Sequence, residues 1–395
     1  MDFDKESLKL HKKHQGKIRI APKMDIHSTD DLSMVYSPGV AAPCREIAAD
    51  ENKVWDYTIK GNCVAIVTDG SAVLGLGNIG AKASIPVMEG KAMLFKRFAG
   101  IDAFPICLDT QDTEKIIDTV KLISPVFGGI NLEDISAPRS FEIESRLQEI
   151  GIPVFHDDQH GTAIVVLAGL INACKVVKKE MKDIKVVING SGAAGIAIAK
   201  LLRCIDNKDE SACIPVKEII MCDSKGIVSM DRENLNDAKR AVLTFSNPNN
   251  TSGSLRDALK NADVFIGVSV GGLLNAKDIS TMASKSIVFA LANPTPEIMP
   301  DEAYKGGAMV VGTGRSDLPN QVNNVLGFPG IFRGALDAKA KKITPKMKLA
   351  AAFAIAECVK YPNPKQVMPA TLNMVVASNV AAAVKKAALE EQNMP

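Results

Sequence analysis

The sequence has no C-x-x-C pair among its eight cysteines, no apolar core near its N-terminus, and no long run of charge of one sign. The cysteines lie mostly inside apolar runs, so a disulfide framework is not expected and buried thiols of a reducing compartment are. The polar opening "MDFDKESLKLHKKHQGKIRI" does not read as a secretory leader, and the longest apolar run, "AIVVLAGLINAC" at 163–174, is too short to span a bilayer. With 47 basic and 45 acidic side chains interspersed and a net charge of +2, no long-range field favours nucleic acid or a membrane surface. The basic cluster Lys9–Lys17 reads as a solvated helix face. A cytoplasmic enzyme or binding protein acting on small molecules is what these absences leave.

What is present is 395 residues with 46% hydrophobic content, enough for two packed domains. Short strand-like runs ("CVAIVTDG", "DAFPICLD", "PVFHDD") alternate with helical patterns up to about residue 160, which predicts an N-terminal α/β domain over 1–160. From 161 to 395 the runs "KVVIN", "EIIMCD", "DVFIGVS" and "SIVFALANP" alternate with helical segments, the pattern of a Rossmann-type, doubly wound parallel sheet with helices at its C-terminal end. An apolar helix over about 160–185 joins the two without a flexible tether.

Two G-x-G-x-x-G loops occur. In "GSGAAG", Gly190 follows a strand directly, Gly192 and Gly195 lead into the helical "IAIAKLLRC", and the next strand ends at Asp223, where a carboxylate meets an adenosine ribose. An insertion around "NKDESACIPV" lengthens that spacing. In "GLGNIG", residues 75–80, six residues separate the strand from the first glycine, which suits site scaffolding and not a nucleotide loop. Ser224, Lys225 and Lys239-Arg240 could meet a 2′-phosphate, which tilts the expectation toward NADP over NAD.

Two acidic pairs, Glu133-Asp134 and Asp157-Asp158, flank apolar strands, and such carboxylates call for a divalent cation, Mg²⁺ or Mn²⁺ for an all-oxygen set. His156 and His160 have i, i+4 spacing, but a loop or first turn ahead of a helix starting near Thr162 argues against zinc. Burial of Lys91 on its helix would lower its pKa toward that of a general base. Tyr36 precedes a Pro-Gly turn and could offer its phenol to a cleft.

Taken in order, "VYSPGVAAPC", "VTDGSAVLGLGNIG", "IPVMEGKAMLFKRFAGIDAFPICLDT", "LEDISAP", "FHDDQHGTA", "GSGAAG", "CDSKG", "ALANPTPE" and "QVNNVLGFPGIFRGA" resemble the short, bacterial-type branch of the malic enzyme family, from about Tyr36 to Gly334. The resemblance implies oxidative decarboxylation of L-malate to pyruvate and CO₂, with Lys91 as base and Tyr36 as the acid that protonates the enolate. It makes Glu133, Asp134 and Asp158 metal ligands and Asp157 the residue orienting Lys91. It places Gly190, Gly192, Gly195, Asp223, Ser224 and Lys225 at the nucleotide, Asn293 at nicotinamide or substrate, and Asn324 at substrate. It also implies at least a homodimer. The long branch has an arginine where this chain has Ala72, so a substrate carboxylate must be held differently. The rival readings are another metal-assisted NAD(P)-dependent hydroxy-acid or amino-acid dehydrogenase, and a non-catalytic nucleotide sensor.

Overall fold

The computed structural model describes residues 2–205, 213–233 and 235–393, so most of the insertion after the nucleotide-loop helix lies outside the described residues. The first sheet has the order β2-β1-β3-β4 and is parallel throughout: β1 Cys63–Thr68, β2 Asp102–Cys107, β3 Gly129–Leu132 and β4 Val154–His156. Every residue of β1 is buried, which is why the run is apolar without alternation. Helix Gly80–Ala99 packs on β2 and β1 and stops where Gly100 takes a left-handed conformation, φ 66°.

The second sheet contains β5 Lys185–Asn189, β6 Glu218–Asp223, β7 Gly226–Ile227, β8 Val264–Gly267, β9 Ile287–Ala290 and β10 Val310–Thr313. Its order, β10-β9-β8-β5-β6-β7, is that of the doubly wound fold, parallel except for the short antiparallel β7 at the edge. Strand order reverses between β5 and β8, and the crevice beyond their carboxyl ends is where such folds take ligands.

Helix Asp157–Val177 links the sheets. It begins at Asp157, five residues before the expected start, so both aspartates occupy its first turn, where the helix N-terminus favours negative charge. It is long and apolar enough to cross a membrane by length and composition, yet 72% of its apolar window is buried in the core. That core runs through both sheets. Helix Phe328–Asp337 wedges Phe328 and Phe332 against Phe95, with ring centroids 4.7 Å and 5.4 Å apart, and Phe155 meets Phe332 at 5.9 Å.

The expectation of buried, unpaired thiols fails at two places: Cys44 is exposed, and Cys204 and Cys213 form a disulfide across a separation of nine residues, joining the end of the nucleotide-loop helix to the insertion. The spacing matches no recognisable motif. In contrast to the core, helices Phe3–His14, Thr29–Val35 and Ala41–Ala49 bury no residue at all.

Candidate active site

The acidic residues converge because parallel strands end on one side of a sheet. Asp69 follows β1, Glu133 and Asp134 follow β3, and Asp157 and Asp158 follow β4, and these three strands are neighbours. The Glu133 amide continues the ladder by donating to Val67 O at 2.9 Å. Asp134 then turns into the left-handed region, φ 53°, a conformation that is costly for a non-glycine residue and is held here by its neighbours. Its amide donates to Asp158 Oδ2 at 2.8 Å, and its carbonyl accepts from the Ala72 amide at 2.9 Å. Ligand oxygens of Glu133, Asp134 and Asp158 lie within 4.8 Å of one another, so the expected trio does form one cluster. Three hard carboxylate oxygens at that spacing fit Mg²⁺ or Mn²⁺.

Lys91 reaches this cluster from helix Gly80–Ala99. Its Nζ donates to Glu133 Oε2 and Asp157 Oδ2, both at 2.5 Å, and lies 4.3 Å from the centre of the Phe328 ring. Burial alone would lower the Lys91 pKa, but Asp157, Glu133 and Asp158 outweigh it and raise it, the reverse of the sequence expectation. The carboxyls of Asp157 and Glu133 are themselves pushed up by burial against the pull of Lys91. The lysine is thus shared between two carboxylates that favour its charged form. Asp157 Oδ2 also accepts from the Asn324 amide at 2.5 Å, and Gly161 is required beneath it, since a Cβ there would lie 1.9 Å from Asp157 Oδ1.

The histidines do not pair as metal ligands. His160 Nε2 bonds Glu144 and its Nδ1 accepts from Lys348, while His156 ends β4. The guanidinium beside Ala72 is also occupied: Arg139 donates to Ser71, Ser136 and Asp69, bracing the turn after β1.

The nucleotide loop sits at the switch point. Gly190 has φ 123°, and a Cβ there would lie 2.5 Å from Val268 O; at Gly195 a Cβ would lie 1.8 Å from Gly190 O. Gly192 faces open space as N-cap of helix Ala193–Leu202. A cavity of about 810 Å³ is lined by Gly190, Gly192, Asp223, Ser224, Lys225 and Lys239 among others. Glu297, which the sequence reading missed, braces the crevice by accepting the Ser269 and Ala292 amides at 2.9 Å and 3.0 Å. Asn293 stands exposed after β9, and a Cβ on Gly75 would lie 2.4 Å from its carbonyl oxygen, so "GLGNIG" closes the crevice from the opposite side.

Tyr36 is not brought to the cluster. It caps helix Thr29–Val35 with 69% of its surface exposed, and among the described residues no hydrogen bond joins it to Lys91, Glu133, Asp134, Asp157 or Asp158.

Residues 15–148 match the malic enzyme N-terminal domain model and residues 159–389 the malic enzyme NAD-binding domain model. The chain is 57% identical over 394 residues to the bifunctional malic/malolactic enzyme of Bacillus subtilis (strain 168), covering 99% of this chain and 94% of that one. It is 55% identical to the NAD-dependent malic enzyme of Geobacillus stearothermophilus, covering 94% of this chain and 77% of that one. Among solved structures, the NAD-dependent malic enzyme of Thermotoga maritima superposes with a TM-score of 0.91 at 49% identity, covering 96% of this chain and 98% of that one.

Proposed function

Because the chain belongs to the malic enzyme family, we propose that Lys91 is the general base and that Glu133, Asp134 and Asp158 hold the divalent metal of a malic enzyme reaction. The activity itself is oxidative decarboxylation of L-malate to pyruvate and CO₂ with reduction of NAD(P). The observation that carries the assignment of roles is the convergence of Lys91 and the carboxylates at the ends of β3 and β4. We likewise divide the chain near residue 160, into a catalytic and metal-binding part and a nucleotide-binding part, acting in the cytoplasm.

A divalent cation bound there supplies a Lewis acid for the substrate oxygen and neutralises carboxylates that otherwise hold Lys91 protonated. Lys91, in its neutral form, would take the hydroxyl proton of malate, and a bound nicotinamide would supply the hydride acceptor. Asp157, fixed by Asn324, orients Lys91 and offers a raised carboxyl within 2.5 Å to receive its excess proton. Asn293 and Asn324 present amides to nicotinamide and substrate. Loss of CO₂ leaves an enolate, and Tyr36 gives C3 its proton.

For Tyr36 to act it must reach a site, and we propose that it reaches that of a second copy in a homodimer. The arm that carries it exposes Phe3, Leu8, Ile20, Met24, Leu32 and Met34, apolar surface that a second copy would cover.

The nucleotide preference shifts toward NAD on the geometry. Lys239 and Arg232 are both engaged by the Asp223 carboxylate, at 2.5 Å and 2.9 Å, Arg256 is engaged by Asp278 at 2.8 Å, and Arg240 Nε turns to Leu235 O. Cations so paired do not offer themselves to a 2′-phosphate, and a free ribose would exchange its hydroxyl for one of the bonds that fill the Asp223 carboxylate. NADP remains the second reading, carried by Lys225. Turnover of L-malate with Mn²⁺, run with NAD and NADP in parallel, tests the reading: stoichiometric pyruvate, faster with NAD, supports it. Lactate is measured beside pyruvate, because one relative is named for malolactic activity as well. Faster turnover with NADP overturns the NAD preference.

A further inference from the structure

Behind the metal cluster, on the face of helix Arg139–Leu147 turned toward it, lies a buried carboxylate that no step above uses. Glu144 Oε1 accepts the His156 amide at 3.1 Å, and Glu144 Oε2 accepts Gln159 Nε2 at 3.2 Å and His160 Nε2 at 3.0 Å. His160 in turn accepts from Lys348 at 3.1 Å through Nδ1, so the chain of donors runs from helix Pro345–Glu357 to the carboxylate. Burial alone would raise the Glu144 carboxyl, but His160 and Lys348 outweigh it and hold it down to about 2. It is a buried anion, and both its oxygens accept hydrogen bonds.

The three groups it binds come from the five-residue segment 156–160, and the two residues of that segment it does not bind are Asp157 and Asp158. Among the described residues no other side chain accepts from the His156 amide, so Glu144 fixes the start of helix Asp157–Val177. We propose that Glu144 is a positioning residue for the metal site: by clamping residues 156, 159 and 160 it sets where Asp158 meets the metal and where Asp157 meets Lys91. The inference rests on the assignment of Asp158 as a metal ligand. Outer partners of this kind change metal affinity by roughly tenfold to a hundredfold when removed.

A cavity of about 440 Å³ opens on the same network, lined by Glu144, Gln148, Gln159, His160, Lys200 and Lys348 among others. It is large enough to admit a small carboxylate to a space left by a truncated Glu144, which separates positioning from general loss of structure.

Mn²⁺ binding is measured directly, by electron paramagnetic resonance of free Mn²⁺, on wild type, Asp158→Asn, Glu144→Ala and Glu144→Gln, with NAD binding as the control for folding. Expected are a Mn²⁺ Kd raised on the order of tenfold to a hundredfold in Glu144→Ala, a smaller rise in Glu144→Gln, partial recovery of Glu144→Ala by added formate, and unchanged NAD binding. Wild-type Mn²⁺ affinity in folded Glu144→Ala overturns the inference. A wild type that binds no Mn²⁺, or an Asp158→Asn that binds it equally well, overturns the metal assignment beneath it instead. Should Glu144→Ala fail to fold, Gln159→Leu removes one donor while keeping the carboxylate; a Kd raised about threefold supports the clamp, and no change overturns it.

Discussion

Asn324 and Lys91 donate to the same oxygen, Asp157 Oδ2, each at 2.5 Å, although the two donors lie on opposite sides of the interdomain helix in the sequence. One carboxylate thus ties Asn324, proposed to meet the substrate, to Lys91, proposed as the base. The bond to a charged acceptor is worth about 1.5–3 kcal/mol. Asn324→Ala is expected to lower kcat/KM on the order of tenfold to a hundredfold with NAD binding intact, measured by steady-state kinetics. Asn324→Asp should be worse than alanine, because it sets a second anion against Asp157.

Two glycines separate the metal site from the nucleotide site. Alanine in a helix ordinarily stabilises by up to about 1 kcal/mol over glycine, but at Gly161 the added Cβ would stand 1.9 Å from Asp157 Oδ1. Steric displacement wins there. Gly161→Ala is expected to weaken Mn²⁺ binding and turnover while sparing NAD binding. Gly195→Ala, with its Cβ 1.8 Å from Gly190 O, should do the reverse. Titrating both ligands into both variants checks the crossed pattern; a variant that loses both ligands would point to unfolding instead.

Much of this was legible in the sequence, and the exceptions have physical causes. β5, β6, β8 and β9 are apolar runs next to turn signals and were found. β3 and β10 are no shorter than β8 and β9, but glycine and polar residues interrupt them in "GGINLED" and "MVVGTG", so no continuous apolar run marks them. The two acidic pairs Glu133-Asp134 and Asp157-Asp158 were visible beside apolar runs, the choice of three of them as metal ligands came from the family resemblance, and the structure brings them together because parallel strands end on one side. Glu144 was not visible, because a helix surface glutamate looks the same whether solvated or clamping a distant segment. The rise in the Lys91 pKa was missed for a related reason: burial is written in the apolar neighbours "VMEGKAMLF", whereas Glu133 and Asp157 arrive from 42 and 66 residues away.

The pairing of Asp223 makes a stability prediction with a definite sign. Burial alone would raise its carboxyl, but Arg232 and Lys239 hold it down to about 2. The unfolded value is about 4, so the folded state binds the proton less tightly and the pair stabilises above about pH 4, an advantage lost as pH falls through about 2. Asp223→Asn should lower the urea midpoint at pH 7, and the gap from wild type should narrow between pH 4 and pH 2. A gap that does not change with pH contradicts the pairing.

If Tyr36 serves the other copy's site, two inactive variants complement each other. Mixing Tyr36→Phe with Lys91→Ala after subunit exchange gives mixed dimers in which one site has both groups intact, about a quarter of all sites at random assortment. Recovery of about that fraction of wild-type turnover is expected. No recovery, with mixed dimers shown to form, places Tyr36 in its own copy's site.

The most direct test of the account is Lys91→Ala, assayed for pyruvate formation from L-malate beside Mn²⁺ and NAD binding. Removing a general base costs on the order of a hundredfold or more in turnover, while removing a cation from among carboxylates leaves Mn²⁺ affinity equal or tighter. A loss of turnover of that size with both ligands still bound is the predicted result. Turnover like that of wild type would contradict the role given to Lys91 and, with it, the reading of the cluster as the catalytic centre.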